Sequence, residues 1–244
     1  MPALRDVVSD LRARADGIFG LPPGEDLTID EVRDEPWWAF NYYLGNLTSR
    51  VVVNVDVPTS GPDLVQLAAH EAYPGHHLEH VWKEQLLVRG RDLLEEAIFL
   101  VPTGQALVSE GIAETGADLL LGEAGRAEVQ TLLQAHGAGY DAAAAHELGV
   151  AFETLRSVGL DAALMIHEEG RPIGEAQAHV ERWGLRTPEQ AAHEISFVTD
   201  PTWRAYAVTY SAGRDLCRRY VRGDPARFRR LLTEQVRVRD LRAA

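Results

Sequence analysis

The sequence predicts a mainly α-helical fold with a small β element. Three observations predict it. Apolar residues recur at helical spacing through most of the chain,. One short stretch near 50–57 is β-branched and alternating instead,. Gly- and Pro-type punctuation separates the helical segments without a repeat, low-complexity tract or linker,. At 244 residues, 45% of them hydrophobic, one large or two small domains are possible and a sizeable core can be buried,. The economical reading is a single domain over 1–244. It divides into an N-terminal helix and aromatic segment (1–48), a central part (49–122) and a C-terminal helical part (123–244).

Residues 3–16 place Leu4, Val7, Val8 and Leu11 on one face of an amphipathic helix,. The turn-rich LPPGED follows at 21–26, then a strand candidate at Leu27–Val32. Residues 37–46 (WWAFNYYLGN) concentrate aromatic side chains, as a core or docking segment does. SRVVVNVDVP at 49–58 is the clearest strand, with Val51, Val53, Val55 and Val57 on one face and Val52, Asn54 and Asp56 on the other,. From Asp63 the period becomes helical as far as Tyr73, resumes at 78–90 to end at Gly90, and runs again over 91–101 to stop at Pro102. Further helices are predicted over 105–121, 125–136, 140–168, 173–184, 188–198, 203–221 and 225–241, with Thr187 and Asp200 as N-caps before prolines,.

Chemistry concentrates at 70–77, HEAYPGHH. A His-Glu pair with another His shortly downstream is the local pattern of a zinc hydrolase. The usual second ligand position, four residues on, holds Pro74, and the next histidines are His76 and His77. In an unbroken helix His70 and His76 would stand about 9 Å apart along the axis. Two nitrogens on one zinc lie no more than about 3.5 Å apart. Pro74 and Gly75 break the helix, so two arrangements are open,. A bulge swings His76 back under His70, or the helix ends and the histidines lie on a solvated turn. Downstream, Glu110, Glu114 and Asp118 recur every four residues, a stripe that needs either a cation or solvent,.

The net charge of −13 argues against nucleic acid or an anionic membrane as the main partner,. Cys217 is the only cysteine, which excludes an intrachain disulfide and makes a reducing cytosol the natural compartment,. A cytoplasmic location is therefore expected. The N-terminus lacks the layout of a signal peptide, and no apolar run is long enough to span a bilayer,.

HEAYPGHHLE at 70–79 followed by SEGIAETGAD at 109–118 resembles the domain-of-unknown-function 885 family of bacterial zinc metallopeptidases, itself similar to the gluzincins. Members carry HEAYPGHHLQ and then EGWALYAE; Arg156, Asp161 and His167, and then Pro201, Tyr210 and Gly213, match later blocks. The resemblance covers roughly 35–220 and departs at Glu79 (usually Gln) and Ile112 (usually Trp). The chain is also about half the family's usual length, and most of an N-terminal helical region that forms one cleft wall has no counterpart. The resemblance implies a gluzincin-like domain binding Zn2+ through His70, His76 and Glu110, with His77 as the alternative to His76. It implies Glu71 as general base, His167 and Tyr210 as oxyanion donors, and Asn54 and Arg156 as substrate-binding residues,. Glu114 or Asp118 would accept the far N–H of a ligand imidazole,. The expected activity is hydrolysis of a peptide or related amide. The alternatives are an accessory subunit that binds without cleaving and a zinc enzyme for a non-peptide small molecule. The aromatic segment and the 51–57 strand edge further suggest a homo-oligomer or a partner chain supplying the absent wall,.

Overall fold

The computed structural model describes residues 1–35 and 37–242; position 36 and the last two positions of the expected 1–244 span lie outside the description. Helix α1 (Pro2–Phe19) opens the chain, and its buried Leu4, Val7, Val8, Leu11, Ala15 and Phe19 recur at helical spacing,. Three strands follow: β1 (Asp26–Val32), β2 (Ala39–Gly45) and β3 (Thr48–Asn54). Their order is β1-β3-β2, with β3 parallel to β1 and antiparallel to β2. β2 and β3 form a hairpin whose turn residues Asn46 and Leu47 both have positive φ, 54° and 59°, as a twist-matched two-residue turn requires,.

The aromatic segment is thus an edge strand. β3, taken from sequence as an open edge, lies at the sheet centre with Val51, Val52 and Val53 all buried. It also stops earlier than its valines suggest. The Asn54 side chain accepts from the Asp56 N–H at 3.0 Å and donates to the carbonyls of Glu35 (2.9 Å) and Trp37 (3.2 Å), so local side-chain bonds turn the chain out of the sheet,.

Helix α2 (Gly61–Glu71) starts with a capping box between Ser60 and Asp63 and ends at the Pro-Gly break; α3 (His76–Lys83) starts directly after it,. α3 continues as a π-helical segment, Glu84–Val88, into the short α4 (Arg89–Arg91). The helix expected over 91–101 is not formed: Asp92 is left-handed, Leu94–Ala97 is a 3-10 turn, and 98–103 is irregular. Two expected helices instead merge into α5 (Gly104–Ala135), bent at Gly122, whose φ of 40° suits glycine,. The segment expected over 140–168 is interrupted, giving α6 (Ala142–Phe152) and α7 (Val158–His167) around a 3-10 turn at Glu153–Leu155. Then come α8 (Ile173–Trp183), α9 (Pro188–Thr199), α10 (Ala207–Val221), α11 (Pro225–Thr233) and α12 (Val238–Arg242). Thr187 forms a capping box with Gln190 on α9 as expected, whereas Asp200 caps a turn at Thr202 and Trp203 ahead of α10.

Helix α5 is the central strut, packed against α10, α2 and α1. Its approach to α10 is unusually close at two glycines. A methyl group on Gly111 would sit 2.4 Å from the Gly213 carbonyl oxygen, and one on Gly213 would sit 2.2 Å from that of Leu107. The buried apolar residues form two clusters, a large one spanning α1, the sheet, α2, α3, α5, α10 and α11, and a small one within α7, α8 and α9. No helix among the described residues is long and apolar enough to cross a membrane.

Candidate metal centre

The break at Tyr73-Pro74-Gly75 separates α2 from α3 by a short bulge. The Tyr73–Pro74 peptide is cis. The Gly75 N–H donates to the Ala69 carbonyl at 2.9 Å, and the Leu78 N–H reaches Ala72 at 3.3 Å. Only glycine fits at 75: a methyl group there would lie 1.9 Å from the His70 carbonyl oxygen. The bulged alternative is therefore the one the chain adopts. It brings His76 Nε2 to 3.2 Å from His70 Nε2, within the spacing that one tetrahedral ion imposes on two nitrogens,.

Glu110, from α5, completes the group. Its Oε2 is 3.4 Å from His70 Nε2 and its Oε1 is 3.5 Å from His76 Nε2. One donor atom from each of these three residues falls within a common sphere of separations no larger than 4.8 Å. Glu110 Oε2 is buried and has no hydrogen-bond partner, while Oε1 accepts from the Tyr206 hydroxyl. A buried carboxylate with one oxygen unpartnered, each oxygen facing an imidazole nitrogen, fits a cation,.

The outer atoms of both imidazoles are fixed. His70 Nδ1 faces Glu114 Oε1 at 3.3 Å, and Glu114 in turn is held by Arg156 at 2.8 Å. His76 Nδ1 meets Ser109 Oγ at 3.1 Å; Ser109 donates to Glu79 at 2.5 Å, and Lys83 pairs with the other Glu79 oxygen at 2.5 Å. Each histidine thus ends on a carboxylate, one directly and one through a hydroxyl, leaving both Nε2 atoms aimed at the same point. Burial opposes charge on His70, but the facing carboxylates of Glu110 and Glu114 outweigh it and raise its pKa well above the ordinary imidazole value. Burial likewise opposes charge on Glu110, and the two histidines overcome it and hold that carboxyl below the usual range.

The group opens into a cavity of about 1040 Å³, lined also by Glu71 and Tyr210. The Glu71 backbone carbonyl accepts from Asn41 Nδ2 at 2.6 Å, which fixes the start of the break to β2. Burial, and then the charge of Glu110, push the pKa values of Tyr206 and Tyr210 upward, so both hydroxyls stay protonated and can donate,.

Several expected residues lie elsewhere. His77 is fully buried on the opposite side of the helix, between Ser49 Oγ and Glu25 Oε2, each at 2.8 Å, and is not the partner of His70. Asn54 is buried and spends its amide on backbone groups, as described above, so it is not a cavity residue. His167 is tied through Nε2 to the Val198 carbonyl at 2.7 Å within the small helical cluster and does not line the cavity. Arg156 also stands outside the lining, held by Glu114 and Glu153, and acts on the Glu114 carboxylate rather than on a ligand. Asp118 faces Arg126 at 3.8 Å; of the two acids considered for an imidazole N–H, Glu114 takes it.

The residues missed from sequence are Tyr206, Ser109, Glu79, Asn41 and His80. His80 lines the cavity, stacked between Tyr43 (5.1 Å between centroids) and His76 (6.2 Å), with its pKa lowered to about 4 mainly by burial. The four-residue spacings Glu79–Lys83 and Tyr206–Tyr210 were visible signals of shared helix faces,. Comparison with family models, with curated proteins and with solved structures finds no match to this chain.

Proposed function

We propose that the protein is a zinc-dependent hydrolase of peptide or related amide bonds, with His70, His76 and Glu110 as the metal ligands. The observation that carries this reading is the convergence of two Nε2 atoms 3.2 Å apart on the two oxygens of the Glu110 carboxylate, whose Oε2 is buried and has no hydrogen-bond partner. A zinc ion held there supplies Lewis acidity and lowers the pKa of a bound water to near 7. Glu71 precedes the bulge and faces the same cavity, where its carboxylate takes the proton of the attacking water and returns it to the leaving nitrogen,. Tyr210, protonated and at the cavity surface, donates to the developing oxyanion,. Tyr206, bonded to Glu110, orients a ligand instead,. His167, held by Val198, has no part in this scheme. The retained base beside the ligands favours an enzyme over an accessory binding subunit.

Metal analysis of the purified protein and a peptide-library digest with and without chelator test the reading together. About one zinc per chain is expected, lost in His70→Ala and Glu110→Ala. Glu71→Gln is expected to keep zinc and lose hydrolysis by roughly 100-fold or more. Full metal retention in both alanine variants would sink the ligand set, and metal loss in Glu71→Gln would make that residue a ligand.

A further inference from the structure

The cavity that holds the metal group has an unusual lining. One aromatic series comes from the β2 side: Trp37, Phe40 and Tyr42 meet ring to ring at 6.2 and 4.7 Å, and Tyr43 connects through His80 to both Phe99 and His76. A second series comes from the region of α9 and α10. Phe197 stacks on Trp203 at 6.3 Å, Trp203 meets Tyr206 at 5.9 Å, and Tyr206 meets Tyr210 at 5.4 Å. The first series ends at His76 and the second at Glu110, through the Tyr206 hydroxyl. A substrate bond placed at the metal group is therefore flanked by aromatic surface in both directions.

The charges are one-sided. Six carboxylates line the cavity, against a single ammonium, that of Lys83, and no arginine lies among the described lining residues. Lys83 is itself buried and paired with Glu79 at 2.5 Å. A dication at His70, His76 and Glu110 still leaves the lining net negative. A guanidinium or ammonium free to pair is the strongest partner for a carboxylate, and without one an anion in so negative a site loses hydration with little compensation. The volume, about 1040 Å³, is at the upper end of the range of roughly 300–1,000 Å³ common for ligand pockets, enough for a short segment rather than one amino acid,.

From this geometry we infer that the site selects neutral or cationic peptide segments with aromatic side chains beside the scissile bond, and rejects segments that bring a free C-terminal carboxylate into the cavity. The chain is on this view not a carboxypeptidase. The inference rests on the hydrolase reading for what happens to the bond, but the selectivity is a binding property and is tested as one.

The experiment uses Glu71→Gln protein loaded with zinc and four peptides of one length. Two carry phenylalanine on both sides of the central bond, one ending in an amide and the other in a free acid one residue beyond that bond. The other two replace both phenylalanines by alanine. Binding is followed by calorimetry and by quenching of tryptophan fluorescence. The expected result is affinity about tenfold or more higher for the phenylalanine amide than for its free acid, and a similar loss on replacement by alanine. Ser196→Arg, which adds a guanidinium at an exposed lining position of α9, should narrow the amide-to-acid ratio. Equal or tighter binding of the acid, indifference to alanine, or no binding by any of the four overturns the inference. Selective binding by this variant, together with no cleavage of the same peptides by the wild type, would uphold the selectivity and remove the hydrolase reading.

Discussion

At the scale of single residues, the proposed metal group depends on where one carboxylate points. Tyr206 donates to Glu110 Oε1, which leaves Oε2 turned toward His70. Tyr206→Phe removes that bond with little change of volume. It is expected to lower zinc affinity by roughly 10–100-fold with near-normal folding, measured by competition with a chromogenic chelator. Unchanged affinity would show that Glu110 is oriented by its helix alone. The sequence made His70, Glu71 and Glu110 legible because each sits in a regular helix with a motif-like spacing. It left His76 and His77 unresolved, since that choice depends on how the backbone folds at Gly75 beneath the His70 carbonyl, a tertiary contact with no periodic signature. Asn54 looked functional for the opposite reason: an asparagine among valines draws attention whether its amide serves a ligand or, as here, three backbone groups.

At the scale of elements, α10 carries Tyr210 and follows directly on Tyr206, and its seat on α5 is set by Gly111 and Gly213. Gly213→Ala pushes a methyl group against the Leu107 carbonyl, an overpacking expected to cost about 1–3 kcal/mol,. For a chain of this size that lowers Tm by roughly 2–12 °C in a calorimetric scan. Because α10 must move outward, zinc affinity should fall in the same variant through the Tyr206–Glu110 bond; a normal Tm would show that the crossing has slack. Helix existence was well predicted from period, and helix ends were not. The 91–101 segment has the composition of a helix, yet Ile98, Phe99, Leu100 and Val101 remain exposed in irregular backbone because no element packs enough of their surface to order them as one,. The aromatic run at 37–46 escaped assignment as a strand because its alternation runs opposite to the usual one: apolar Phe40, Tyr42 and Leu44 are the exposed positions, and Ala39, Asn41, Tyr43 and Gly45 the half-buried ones,.

At the scale of the whole molecule, the acid limb of stability has one identifiable contributor behind the metal group. Burial opposes charge on Glu25, but hydrogen bonds from His77, Tyr73 and Arg12 overcome it and lower its pKa from 4.5 to about 2. A carboxyl depressed in the folded state contributes stability that is fully present above its unfolded pKa and is lost as pH falls through the folded one. The contribution of Glu25 should therefore fade between about pH 4.5 and about pH 2,. Denaturant titrations of the wild type and Glu25→Gln across that window should show a stability gap that narrows as pH falls, and a constant gap would refute the assignment. This cluster joins α1, the first strand's approach, β3 and α3 through Arg12, Glu25, Ser49 and His77, four residues drawn together from distant parts of the sequence. Only His77 carried a local signal, and that signal pointed to a metal rather than to Glu25. The division of the interior into a large cluster and a small one within α7–α9 was likewise invisible, since both are built from ordinary helical periodicity.

The hydrogen bond from Asn41 to the Glu71 carbonyl has a consequence for how this protein can change over generations. The strand bearing Phe40 and Tyr42, two rings of the cavity lining, is the same strand whose Asn41 holds the backbone of Glu71, the proposed base. A descendant can alter the outward rings without moving the backbone, but every shift of the strand itself reaches Glu71. In the proposed enzyme, taste and turnover are inherited together, and they part only at positions that leave the backbone of β2 where it is.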